Sequence, residues 1–143
     1  MVECICADGS AILPFIILKG EKVMLSWIPP STLDLNWHFG ASQKGWTSNA
    51  LGFDWLTGVF DPATQPLDST RTRLLICDGH DSHISARFVA YCIEMNIYLF
   101  FLPLRSSYLL QPLVGIFSLL KTIVSMDLDQ LFQIDVIRLE KVE

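Results

Sequence analysis

Residues 73–102 read RLLICDGHDSHISARFVAYCIEMNIYLFFL, and this stretch decides the fold. Arg73 to Cys77 is a short apolar run with no polar alternation, the pattern of a buried central strand. It ends at Asp78-Gly79. Ile84, Phe88, Val89, Cys92 and Ile93 then recur at helical spacing, with Ser82 or Ser85 as the cap. Asn96 ends that helix, and Ile97 to Leu102 is a second apolar run. Strand, turn, helix, strand is a parallel crossover unit. The expected class is α/β.

Upstream, residues 2–7 read as a short strand and Asp8-Gly9 as a hairpin turn. Ala11 to Leu18 is the returning strand, and Pro14 suits an edge position. Residues 23–46 read as irregular. Trp27, Trp37 and Trp46 are expected to pack that loop onto the body, with base stacking as the competing role. Ser48 or its neighbours cap a helix to about Phe60, with Leu51, Trp55, Leu56, Val59 and Phe60 as its buried stripe. Residues 61–72 read as a polar loop. Downstream, 103–111 reads as a loop, and Leu113 to Met126 as a helix that Pro112 opens. Beyond it the tail reads as an amphipathic helix or a frayed end.

The chain has 143 residues, 51% of them hydrophobic, which predicts one domain with a substantial core. No apolar run approaches the roughly 20 residues needed to cross a bilayer, and no signal peptide is expected. The net charge is −5, with ten Lys and Arg spread along the chain. That balance argues against autonomous, tight duplex binding. Cys4, Cys6, Cys77 and Cys92 form no Cys-x-x-Cys pair and read as reduced, structural thiols.

Asp78 is the residue with chemical promise. A carboxylate directly after a strand faces the cleft where ligands collect in open α/β sheets. A turn or cap role is the plainer alternative. Three ordered strings raise the functional one: Asp78-Gly79-His80-Asp81-Ser82-His83; the apolar run Ile97 to Leu102 followed by Pro103; and Ser106-Ser107-Tyr108-Leu109-Leu110-Gln111-Pro112-Leu113. Cys6-Ala7-Asp8-Gly9 with Leu13-Pro14, and Gly45-Trp46-Thr47 with Asn49, fit in front of them. From about residue 2 to about 132 the chain resembles the catalytic core of DDE-superfamily transposases of the pogo/Tigger type.

That resemblance implies an RNase H-like mixed sheet with flanking helices, here lacking its first, central strand. It implies Mg²⁺-assisted phosphoryl transfer on DNA, with two ions between three carboxylates. Asp78 matches the second acid and would be a metal ligand. His83 matches a family histidine that orients or packs. The first acid would lie before residue 1. The third should follow Gln111-Pro112-Leu113, where the chain reads Val114-Gly115. Asp81 is a weak substitute three residues from Asp78. Asp127 and Asp129 lie more than three helical turns beyond the gap, roughly 20 Å along a helix axis.

The expectation is therefore a partial catalytic domain over 1–132 with a tail at 133–143, related to nucleic acid by resemblance and not cutting DNA alone. The resemblance implies a nuclear protein, with the cytoplasm as the alternative. With that strand missing, the hairpin of 2–18 and the pair 73–77 and 97–102 either pair directly or leave an exposed edge, and low stability is expected. The competing readings are a protein-interaction module without chemistry and a gene fragment without a stable product.

Overall fold

The structure is a computed structural model that describes residues 1–30, 35–68, 70–79, 85–103 and 105–139. The chain divides into two compact units, Met1–Phe101 and Leu102–Glu143.

The first unit is mixed α/β. The expected hairpin is present as an irregular ladder. Val2 and Phe15 exchange both backbone bonds, at 2.8 and 3.0 Å, and Cys6 N–H donates to Ser10 at 2.8 Å. The isolated bridges Val2↔Phe15 and Ile5↔Ala11 are antiparallel. Between them the returning side carries one residue more than the outgoing side, a bulge that holds Pro14, which has no N–H to give. Regular pairing starts only after it, at β1 (Phe15–Lys19).

β1 pairs in parallel with β2 (His38–Ser42), Phe15 opposite His38 and Lys19 opposite Ser42. β2 lies inside the stretch read as irregular. HFGAS carries a central glycine and no β-branched residue, so its propensity is poor. Gly40 explains why the strand exists. A Cβ there would fall 2.7 Å from the Phe15 ring and 2.8 Å from Leu51. Only glycine lets this backbone lie flat on the core.

The helix expected from Ser48 is α1 (Asn49–Trp55), and the Ser48 hydroxyl accepts from Leu51 N–H at 3.3 Å. It continues through a wider π-turn at Leu56–Phe60 into α2 (Asp61–Thr64). All five residues of the expected stripe are buried. The helical path runs past Phe60, so residues 61–64 are not loop.

β3 (Arg73–Cys77), α3 (Ala86–Glu94) and β4 (Ile97–Phe101) form the expected crossover. β3 and β4 are parallel, Arg73 opposite Ile97 and Cys77 opposite Phe101. Ser85 is the cap of α3, accepting from Phe88 N–H at 3.3 Å. Asn96 takes φ 53°, the left-handed conformation that asparagine tolerates at a helix end. Phe88 and Cys92 are fully buried.

Among the described residues the strands form two separate parallel pairs, β1–β2 and β3–β4, rather than one mixed sheet. One apolar cluster joins them: Phe15 and Ile17 from the first pair, Leu75 and Ile97 from the second, with α1 and α3 contributing Leu51, Trp55, Phe88 and Cys92. Only one face of β3–β4 enters it. Leu74, Ile76, Tyr98 and Phe100 point the other way and are exposed.

The second unit holds α4 (Ser107–Leu110) and α5 (Leu113–Leu139). The first of these lies in the segment read as loop. Arg105 adopts φ 63°, and Ser106 turns the chain by donating its N–H and hydroxyl to Pro103 O at 3.1 and 2.7 Å. α5 contains the expected helix from Leu113 and continues to Leu139, into the segment read as tail. Leu119, Leu120, Ile123 and Val124 are exposed on it. No helix among the described residues is long and apolar enough to cross a membrane.

Candidate functional site

Asp78 leaves the carboxyl end of β3 directly after Cys77 and is half-buried. Its position is fixed from behind. β3 is bonded to β4 along its length, Leu75 is anchored in the core, and Arg73 clamps the start of the strand. Burial pushes the Cys77 thiol up to about 12, and the neighbouring Asp78 charge adds to the shift. The thiol therefore stays protonated at neutral pH and presents no anionic sulfur beside the carboxylate. Gly79 follows, and among the described residues nothing lies near the place a side chain would take.

His80, Asp81, Ser82 and His83 lie outside the described residues, and so does any support His83 gives Asp78. Val114, at the place of the third acid, is half-buried on α5 in the second unit. Asp127 and Asp129 are exposed on the same helix. Among the described residues no three His, Cys, Asp or Glu side chains converge to hold a metal ion. A two-ion site needs several oxygen donors held together. At this strand end the described residues supply the Asp78 carboxylate beside a protonated thiol.

A second polar centre is absent from the sequence reading. Asp61, at the start of α2, is buried and receives 2.7 Å from Arg73 Nη2, 3.0 Å from the Tyr91 hydroxyl and 3.3 Å from Gln65 Nε2. Arg73 also donates to Asp61 O, Thr64 Oγ1 and Met95 O at 3.2, 3.0 and 3.0 Å. Burial alone would raise the Asp61 carboxyl. The bonds from Arg73, Tyr91 and Gln65, with the Arg73 charge, outweigh it and hold the group below its ordinary range. Burial and the bond to Asp61 push the Tyr91 phenol up. An open cavity of about 380 Å³ lies alongside, lined by Gln65, Arg71, Arg73, Glu94 and Asn96 among others. It sits at the start of β3, five residues from Asp78, roughly 16 Å along the strand. The network is a structural tie between α2, β3 and α3. No spacing in the sequence signals it, because its partners come from three separate elements.

The family model described as DDE superfamily endonuclease matches residues 1–136, nearly the whole chain. The chain belongs to the DDE endonuclease superfamily. The match extends across all three strings that carry the resemblance and includes Asp78. A curated relative, the MFS-type transporter clz9 of Cochliobolus lunatus, is 37% identical over 132 residues. That alignment covers 92% of this chain but 14% of the relative's length. The transporter name describes a much longer protein, and the shared part of this chain contains no helix long and apolar enough to span a membrane among its described residues. No solved structure matches the chain.

Proposed function

We propose that this chain of the DDE superfamily is a transposase-derived segment that keeps its association with nucleic acid and does not cleave DNA by itself. The observation that carries the proposal is the residue after Gln111-Pro112-Leu113. It is Val114, where the family pattern has its third acid. Asp78 remains as the second acid, on the strand end expected of an RNase H-like core, with His83 as its supporting histidine. One carboxylate among the described donors cannot anchor a pair of Mg²⁺ ions. Residues 1–132 are the remnant of the catalytic domain and 133–143 its tail, and the nucleus is the compartment this descent favours.

Titration with Mn²⁺, followed by paramagnetic broadening of backbone amide signals, tests the remaining site. The expected result is weak binding, in the roughly millimolar range, centred on Cys77 to Gly79 and lost in Asp78→Asn. Tight binding, or broadening centred elsewhere, contradicts the reading.

A second reading, a protein-interaction module without chemistry, is favoured by the exposed face of Leu74, Ile76, Tyr98 and Phe100. Parallel pairs are normally covered on both faces. A protein partner whose binding is lost in Ile76→Glu, with no nucleic-acid affinity, would favour this reading over the first.

A further inference from the structure

Residues 1–70 contain three Lys and no Arg: Lys19, Lys22 and Lys44. The fold gathers them at the carboxyl end of the β1–β2 pair. Lys19 closes β1 opposite Ser42, which closes β2. Ser42 fixes both turns that leave this end. Its carbonyl accepts from Gly20 N–H at 2.9 Å and from Gly45 N–H at 3.0 Å, and its hydroxyl donates to Trp46 O at 2.8 Å. Gly45 takes φ 74°, and a Cβ on it would lie 3.5 Å from Lys19 Cβ, so the Lys44-Gly45-Trp46 turn rests against Lys19. The Trp27 indole covers Gly20, 2.9 Å from where a Cβ would be.

The two indoles at this end are not packed away. Trp46 is 75% exposed and Trp27 is 47% exposed. This corrects the expectation that the tryptophans pin the loop to the body. All three lysines are exposed as well, and Glu21 is the acid among them. An acidic chain thus presents a locally cationic edge with two flat aromatic surfaces, on turns held by backbone bonds.

We infer that this edge binds single-stranded nucleic acid, Trp46 stacking on an unpaired base and Lys19, Lys22 and Lys44 facing the phosphates. Exposed aromatics beside cations are the means by which single strands are held without sequence readout. A duplex keeps its base faces covered and gives Trp46 nothing to stack on. An acidic peptide would engage the lysines and leave the indoles unused. The inference rests on the nucleic-acid association proposed above and adds the strand form and the contact residues.

Fluorescence anisotropy of the intact chain with a fluorescein-labelled oligothymidine, its duplex of equal length and a labelled oligoglutamate tests it. The expected order is single strand over duplex and peptide. Trp46→Ala should weaken single-strand binding roughly 5- to 100-fold with circular dichroism unchanged. Lys44→Gln should lower the salt slope by about 0.7. If the duplex binds as well as the single strand and Trp46→Ala changes nothing, the edge is not the contact, while the nucleic-acid reading stands. If the peptide alone binds, or nothing does, both fall.

Discussion

Asp61 carries a charge into the core at the start of α2, where burial alone would neutralise it. Arg73, Tyr91 and Gln65 keep it ionised. Removing one member of a buried pair costs more than the pair contributes, because the other charge is left behind. Asp61→Ala is expected to destabilise the fold by about 3–5 kcal/mol, measured by urea unfolding. The pH dependence follows from a folded carboxyl held below its ordinary 3.8. Its stabilisation is present above that value and is lost as pH falls through the lower folded one. Thermal melts should therefore show a loss of stability below about pH 4 that Asp61→Asn lacks. This residue was not legible in the sequence. A single aspartate after an apolar stripe looks like a loop residue, and its partners are 12 and 30 positions away. Asp78 was legible, because a strand, a carboxylate, a glycine and a helix follow one another without a gap.

At the scale of elements, the crossover β3–α3–β4 was readable because its signals are local: two continuous apolar runs, a serine cap and an asparagine stop. β2 was not, because its strand state is set by tertiary contact. Gly40 lies against Phe15 and Leu51 too closely for any side chain. Gly40→Ala is expected to cost about 1–3 kcal/mol by overpacking, although alanine has the better strand propensity. An unchanged or higher melting temperature would show that β2 can lift off the core. The helical path from Asn49 to Thr64 was half legible. Its buried stripe was correct, but residues 61–72 read as a polar loop, whereas proline is tolerated in the first turn of α2. The tryptophans show the same limit. Their apolar character predicted burial, and the two turns bonded to Ser42 place Trp46 outward instead.

At the scale of the molecule, the first unit has one core, two short parallel pairs and an uncovered apolar face on β3–β4. The second is dominated by one long helix whose exposed apolar residues include Leu119, Leu120, Ile123 and Val124. Family membership was readable because three motifs between Asp78 and Leu113 keep their order, with shorter matching strings ahead of them. The pairing of the strands was not, since a two-stranded pair and the middle of a wider sheet share the same apolar runs. Chemistry in this family depends on carboxylates brought together, and among the described residues no three His, Cys, Asp or Glu side chains converge to hold a metal ion. The most direct measurement is nicking of supercoiled plasmid by the intact chain with Mg²⁺ or Mn²⁺. The expected result is no cleavage above a metal-only control, and no difference between the natural chain and Asp78→Asn. Metal-dependent nicking that Asp78→Asn abolishes would contradict the account.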